Sequence, residues 1–377
     1  MKRLILALLL ISSLLLCACG ELFDDLNERL VELADDTMST IIGNESQDDE
    51  NASDIKEIAT LDELRDYIHE QKDKDILEID FKYVGRDKLD DEQIVVIAAV
   101  CSITYSVNDS NEYHLSLTEY PGDRIADAYK SKDTSKLNSD EREAYDIAID
   151  MIERARDMAE SEIELELILH DMIIDKVTYY DGTTSISDPM NPPRHLTAVG
   201  ALVDGKANCQ GYSDAFYTLA TMAGFQVGRM AAKNSDGGHM LNTILLDGKW
   251  YVVDTTFDDA GGPGFYFLFN AGRELCREYA WGSEMENNPI SDKTDEKYYY
   301  YRNNSVYDDI EALAQGLFDE WHENRSRVVH AMITQNVTPS ELSEALKDVD
   351  MPEYSEVSYT IWCHTNGVET FFAVEFE

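Results

Sequence analysis

GKANCQGYSDAFYTLATMAGFQVGRMAAKNSDGGHMLNTILLDGKWYVVDTTFDD, residues 205–259, is the stretch on which the fold turns. It holds Cys209, His239 and Asp254 in that order, each at the edge of an expected regular element. After Cys209, the apolar residues Phe216, Leu219, Ala220 and Ala223 recur at helical spacing, and Gly224 is a stop signal. The spacing predicts a helix of about four turns that starts at Cys209. Unpaired N–H groups and the dipole at such a terminus favour a thiolate over a thiol. Gly211 lets backbone pass close by, and Tyr212 and Tyr217 are expected to wall the site.

The second half of the stretch reads as a hairpin. His239–Leu246 and Lys249–Thr256 are β-rich runs joined by Asp247-Gly248, a two-residue turn signal. With that turn, Leu246 opposes Lys249 and Leu241 opposes Asp254. His239 then shares a face with Asp254 as its diagonal neighbour, about 7 Å away. A three-residue loop would place Asp254 on the other face. The two-residue turn is the one that lets a carboxylate orient the imidazole. Cysteine at a helix start, histidine on a strand and aspartate on the next strand form a nucleophile, base and orienting-acid pattern. Each residue alone has an ordinary structural reading, as buried thiol, satisfied ring or turn former. Order and register together favour the triad.

These residues resemble the transglutaminase-like superfamily, a branch of the papain-like cysteine enzymes. The resemblance rests on Gly205, Cys209, Gly211-Tyr212, Ala215-Phe216, Leu219, Gly224, His239, Asn242, Leu246 to Tyr251, Asp254 and Thr256. Upstream it extends to Leu169-His170-Asp171 and Tyr180-Asp181. It implies an α+β fold, with a helix bearing cysteine packed on an antiparallel sheet bearing histidine and aspartate. It also implies Cys209 as nucleophile, His239 as base and Asp254 as orienting acid. Met240-Leu241 stands where the family usually has Ala-Trp, and Phe257 where Trp is common. Both departures bear on the substrate cleft rather than on the triad.

At the N-terminus, Lys2-Arg3 and an apolar run to Leu16 read as a signal peptide over residues 1–18. Ala18 before Cys19 resembles a bacterial lipobox. Cys19 is therefore the expected lipidated residue, ahead of Cys17, which follows Leu16. An exported protein anchored to the outer face of a bacterial membrane is the expectation. Residues 19–57 read as an acidic tether, polar and without apolar period from Asn44 to Asn51. Of the six cysteines, Cys101, Cys209, Cys276 and Cys363 remain, with no CxxC or zinc spacing. Cys101 and Cys363 lie in apolar runs and read as buried thiols.

Two small modules flank the catalytic domain expected over residues 138–302. In the first, residues 58–130, helix 61–71 is capped by Thr60 with Glu63. Strand 76–84, helix 90–99 and strands 101–107 and 112–119 follow. In the second, residues 306–377, helix 308–324, strand 327–333, helix 338–349 (capped by Thr338 with Glu341) and strands 356–364 and 368–377 repeat that αβαββ order. Between them, residues 139–175 read as two helices broken near Glu160-Ser161. Ile163, Leu167, His170 and Ile174 lie on one side of the second, and Leu165, Leu169, Met172 and Ile173 widen its apolar face. His170, His330 and His364 read as structural, Tyr298–Tyr301 as packing, and 265–269 as a further strand.

The formal charge of −44 argues against nucleic-acid binding. It suits an exposed, soluble surface and, as a sharper reading, basic substrates. No cofactor is expected. A zinc site from Cys209, His239 and Asp254 is disfavoured, because the motif context matches a nucleophile. The expected activity is acyl transfer by a cysteine, with peptide or amide hydrolysis ahead of amine crosslinking. Extracellular proteins or cell-wall peptides are the substrate classes that the location suggests. The competing reading is a binding or scaffold lipoprotein with a vestigial triad.

Overall fold

The computed structural model describes residues 55–72, 74, 76, 78–85, 89, 102–182, 192–234, 237–259, 264–277, 290–349 and 357–377. Cys19, Cys101 and the expected signal peptide, most of the tether, and helix 90–99 lie outside them. Two compact units divide the chain. The first takes the described residues up to Tyr120, together with 181–193 and 230–239. The second takes Pro121–Tyr180, Arg194–Arg229 and Met240–Glu377.

In the first unit, β1 (Lys56–Ile58) leads into α1 (Leu61–Lys72), followed by β2 (Glu78–Tyr83), β3 (Ser102–Val107) and β4 (Glu112–Thr118). Thr60 Oγ1 accepts from Glu63 N as expected, and the Glu63 carboxylate reaches back to Ala59 N. The sheet runs β1-β2-β4-β3. β1 is parallel to β2, and β4 is antiparallel to both of its neighbours. Strand alternation makes the core: Ile79, Phe81, Tyr113, Leu115 and Leu117 pack beneath Leu64 and Ile68. On the other face Asp80 and Glu78 hold the exposed His114 ring at 2.8 and 3.0 Å.

The second unit opens with α2 (Pro121–Ser131), α3 (Ser139–Met158) and α4 (Glu162–Lys176). Asn138 and Glu141 form a capping box for α3. Ser161 caps α4, which locates the break read near Glu160-Ser161. The residues buried on α4 are Glu166, Leu169, His170 and Ile173; His170, Leu169 and Ile173 belong to the expected apolar face, and Glu166 does not. This helix is apolar on most sides, so its packing partners chose the innermost stripe. Then come β5 (Thr178–Tyr179), a 3₁₀ turn at Arg194–Leu196, a π-helical turn at Gly200–Asp204, β6 (Lys206–Ala207) and α5 (Cys209–Ala223).

Beyond α5 lie β7 (Gln226–Asn234), β8 (Gly237–Leu246), β9 (Lys249–Val253), α6 (Thr255–Asp258), β10 (Phe269–Ala271) and α7 (Arg273–Arg277). The sheet order is β10-β9-β8-β7. The strand expected at 265–269 is displaced: only Phe269–Ala271 pairs, antiparallel to β9 and with a register irregularity. Phe216, Leu219, Ile244, Tyr251, Val253 and Phe269 join α5 and the sheet in one core with Leu169 and Ile173. The fold is mixed helix and sheet, with the cysteine helix packed on an antiparallel sheet.

The chain closes with α8 (Tyr299–Arg302), β11 (Val306–Tyr307), α9 (Ile310–Asn324), β12 (Val328–Ile333), α10 (Pro339–Lys347), β13 (Tyr359–Thr365) and β14 (Thr370–Phe376). The order β11-β12-β14-β13 and the strand directions repeat those of the first sheet. Both modules also begin with a short parallel strand that the αβαββ reading lacked, at two or three residues too brief for a periodicity signal. The two sheets differ on the face away from their helices. In the first it is polar; in the second it is aromatic. There His364 stacks on Phe267 at 4.5 Å, and the Tyr266–Tyr299 stack meets the His330 edge. Tyr298 and Tyr300 are buried, as packing residues should be. Cys363, expected to be buried, is exposed on β13, which is the edge of its sheet among the described residues.

Candidate active site

Cys209 is the first residue of α5, and it is half-buried. The side chain of Asn208 caps the helix, accepting from Gln210 N at 3.1 Å and Gly211 N at 3.3 Å. Gly224, at φ 107°, ends it in the left-handed region. The expected start, length and stop are all present. Gly211 has a specific reason: a Cβ there would lie 2.6 Å from the His195 carbonyl oxygen.

Two hydrogen bonds lock this helix to β8. Ser213 Oγ donates to Leu241 O at 3.1 Å, and Asn242 Nδ2 donates to Ser213 O at 3.1 Å. Ser213 lies one turn beyond Cys209 on the same helix side. Deeper in, the buried Asp214 accepts from Ala198 N at 2.7 Å and Gly122 N at 3.2 Å, and pairs with Arg229. Arg229 also reaches Asp123 and lies 3.7 Å over the Tyr217 ring. Burial raises the pKa of Asp214 against the pull of Arg229.

The hairpin has the expected two-residue turn. Asp247 and Gly248 sit at φ 49° and 79°, both left-handed. The ladder pairs Leu246 with Lys249 and Asn242 with Val253. One step further lie Leu241 on one strand and Asp254 on the other. The strand read through Thr256 stops at Val253. Asp254 instead caps the one-turn helix α6, its Oδ1 accepting from Thr256 N at 3.0 Å and Phe257 N at 3.1 Å. An aspartate with free backbone N–H groups just ahead favours a cap over continued pairing. Asp254 is buried. His239 is half-buried on β8, two residues before Leu241 and on the same strand face. It belongs to the first unit, Cys209 and Asp254 to the second.

Tyr212, expected to wall the site, is fully buried. Its hydroxyl donates to Val177 O at 3.0 Å and to the Asp259 carboxylate. It therefore ties the first turn of α5 to the end of α6. Its hydroxyl looked available in the sequence because Val177 and Asp259 are 35 and 47 residues away.

Sequence reasoning missed His195. Its carbonyl accepts from Asn208 N at 2.9 Å, while Tyr180 N donates to Ala207 O at 2.7 Å. The two rings stack with centroids 4.0 Å apart. The stack thus rests on the two residues that precede Cys209. Burial lowers the pKa of His195, so the ring is neutral at neutral pH. No spacing signal marks it, because residues 194–204 form two short irregular turns.

Residues 150–255 match the family described as the Transglutaminase-like superfamily. No curated protein matches the chain. Among solved structures, it is similar to a TGase at 19% identity and TM-score 0.28, over 49% of this chain and 52% of that one. It is also similar to LapG of Legionella pneumophila at 14% identity and TM-score 0.22, over 36% of this chain and 72% of that one. The chain spans about half the length of that TGase, at 52%. The cysteine helix, the hairpin and Asp254 all lie within the residues that match this family, 150–255.

Proposed function

We propose that the chain is a cysteine acyl-transfer enzyme acting by hydrolysis of peptide or amide bonds, with Cys209 as nucleophile, His239 as base and Asp254 as orienting acid. The supporting observation is the lock between helix and hairpin. Ser213 fastens the helix that begins at Cys209 to the strand that bears His239, at Leu241. The two-residue turn then brings Asp254 to the end of the facing strand.

In this reading Cys209 gives its thiol proton to His239, the thiolate attacks the substrate carbonyl, and the carbonyl oxygen takes up negative charge near the Cys209 N–H. His239 passes a proton to the departing nitrogen, the C–N bond breaks, and a thioester remains. Water then attacks the thioester and gives a proton to His239. The carboxylic acid leaves and the thiolate returns. Asp254 keeps the imidazole oriented and balances its charge.

Cys19 carries the lipid that holds the enzyme at the outer face of a bacterial membrane. Cell-wall peptides and neighbouring extracellular proteins are its substrates, and the net charge of −44 favours basic ones. Wild type and Cys209→Ala are incubated with cell-wall peptides and a primary-amine probe. Release of peptide fragments by wild type alone is the expected result. Amine incorporation instead identifies a crosslinking transglutaminase. Neither product, with Cys209 alkylating as an ordinary thiol, identifies a scaffold and overturns the proposal.

A further inference from the structure

We infer that His170 and Asp258 are positioning residues for the candidate acid: their buried pair anchors the one-turn helix that Asp254 caps, and thereby holds Asp254 in place. The inference rests on the triad proposed above and adds two residues to it.

His170 and Asp258 are both fully buried. His170 Nε2 lies 3.0 Å from Asp258 Oδ2 and its Nδ1 lies 3.0 Å from Asp171 Oδ1. A ring that faces a carboxylate at each nitrogen donates to both only as an imidazolium. Phe269 packs edge-on at 5.2 Å, and Tyr266 at 5.7 Å also donates its hydroxyl to Asp171. The ring is thus immobilised within the core on the side of α4.

Asp258 is equally committed. Its Oδ1 accepts from Leu268 N at 3.1 Å, and its backbone N donates to Asp254 O at 3.0 Å. The helix between Asp254 and Asp258 is four residues long, far below the length that sustains a helix by itself. Its geometry comes from its ends. At one end Asp254 Oδ1 accepts two backbone N–H groups. At the other, His170 and Leu268 N share the Asp258 carboxylate, next to the Tyr212–Asp259 hydrogen bond and the bond from Phe265 N to Asp258 O at 2.6 Å. Losing His170 removes the charged partner of that end and loosens the turn, and the Asp254 carboxylate shifts with it.

The surrounding charges fit this reading. Glu166 and Asp171 on α4, Asp254 and Asp259 on the acid turn, Tyr266 after it and Cys276 on α7 are the titratable groups facing the pair. Burial alone lowers His170, but Asp171 and Asp258 outweigh it and raise it to about 9. Burial raises Asp258 to about 7, against the pull of His170. Because the folded-state value of His170 is raised, its contribution is present below the ordinary histidine range and is lost as pH rises through about 9.

The test uses the full-length protein. Cys209 alkylation by iodoacetamide is followed against pH in wild type, His170→Gln and Asp258→Asn, with thermal unfolding alongside. Poised alkylation in wild type, and a loss of about 10- to 100-fold at mildly acidic pH in folded variants, is the expected result. A wild type that alkylates as an ordinary thiol sinks the triad itself. A poised wild type whose folded variants keep the same pH profile overturns only the positioning role. Amide exchange on wild type covers variants that do not fold. Between pH 8 and pH 10, Thr256 and Phe257 should lose protection while the capped Gln210 and Gly211 amides keep theirs. Unchanged protection at Thr256 and Phe257, or equal loss at all four, overturns the inference.

Discussion

Glu166 and Asn270 meet in the interior of the core, where Asn270 Nδ2 donates to Glu166 Oε2 at 3.0 Å. The second oxygen of each side chain, Oε1 and Oδ1, is buried without a hydrogen-bond partner among the described residues. Burial raises Glu166 to about 8, against the opposing pull of Asn270 and His170, so it keeps its proton at neutral pH. A carboxyl with a raised folded-state value has the reverse of the usual acid dependence. Stability is highest below the ordinary glutamate range and falls as pH climbs from there through about 8, because the unfolded chain sheds the proton first. Glu166→Gln is isosteric and uncharged at every pH. It should stabilise the protein by about 1–3 kcal/mol at pH 8 and leave it unchanged near pH 4. Urea unfolding at the two pH values checks this; an equal effect at both would show that the carboxyl is not protonated in the fold.

The N-terminus of α5 offers two changes with separable outcomes. Asn208→Ala removes the cap from Gln210 and Gly211 and should cost about 1 kcal/mol, with Asn208→Ser or Asn208→Asp largely restoring it. Gly211→Ala places a methyl group 2.6 Å from the His195 carbonyl oxygen and 2.8 Å from Ala207 Cβ. Both neighbours are backbone or short side chain and cannot swing away. The expected loss is about 1–3 kcal/mol, accompanied by slower alkylation of Cys209, as the segment that carries the thiol is forced off its neighbours. Chemical denaturation paired with thiol labelling distinguishes the cap from the clash.

His330 is the acid-side counterpart of Glu166. Its Nε2 donates to Gly264 O at 2.9 Å, and Tyr266 and Tyr299 both meet its ring edge-on. Burial pushes it down to about 4, against the opposing pull of Gly264. A histidine lowered in this way contributes stability above its ordinary range that is lost as pH falls from about 6.5 through about 4. His330→Gln keeps a donor for Gly264 and cannot take up a proton. It should cost about 1–3 kcal/mol at pH 7 through lost ring packing, yet show a smaller further loss on going to pH 4. Thermal melts of both proteins across that interval, with amide exchange on β12 and β14, provide the check.

Much of the local grammar was readable in advance. The helix from Cys209 to Ala223, the break before α4 at Ser161, the Asp247-Gly248 turn and the cap of α10 at Thr338 all depend on residues within four positions of one another. Capping, turn type and periodicity act over that range. The errors have a common origin too. Asp254 ends a strand because its side chain competes for nearby N–H groups, which overrode the β-rich run through Thr256. The first short strand of each module is parallel to a strand about 25 residues on, so it carries no hairpin signal. Helix α2 and strand β7 were not read at all.

From its order of residues alone, this chain determined where its cysteine helix starts and stops and how its hairpin turns. Those outcomes follow from the preferences of short segments, which survive without any fold around them. Only the tertiary structure decided that His170 faces Asp258 across 88 residues, that Tyr212 is spent on Val177 and Asp259, and that one sheet presents charges where its twin presents rings to the core. Such pairings are set by which surfaces exclude water together, and burial of that kind belongs to no single stretch of sequence.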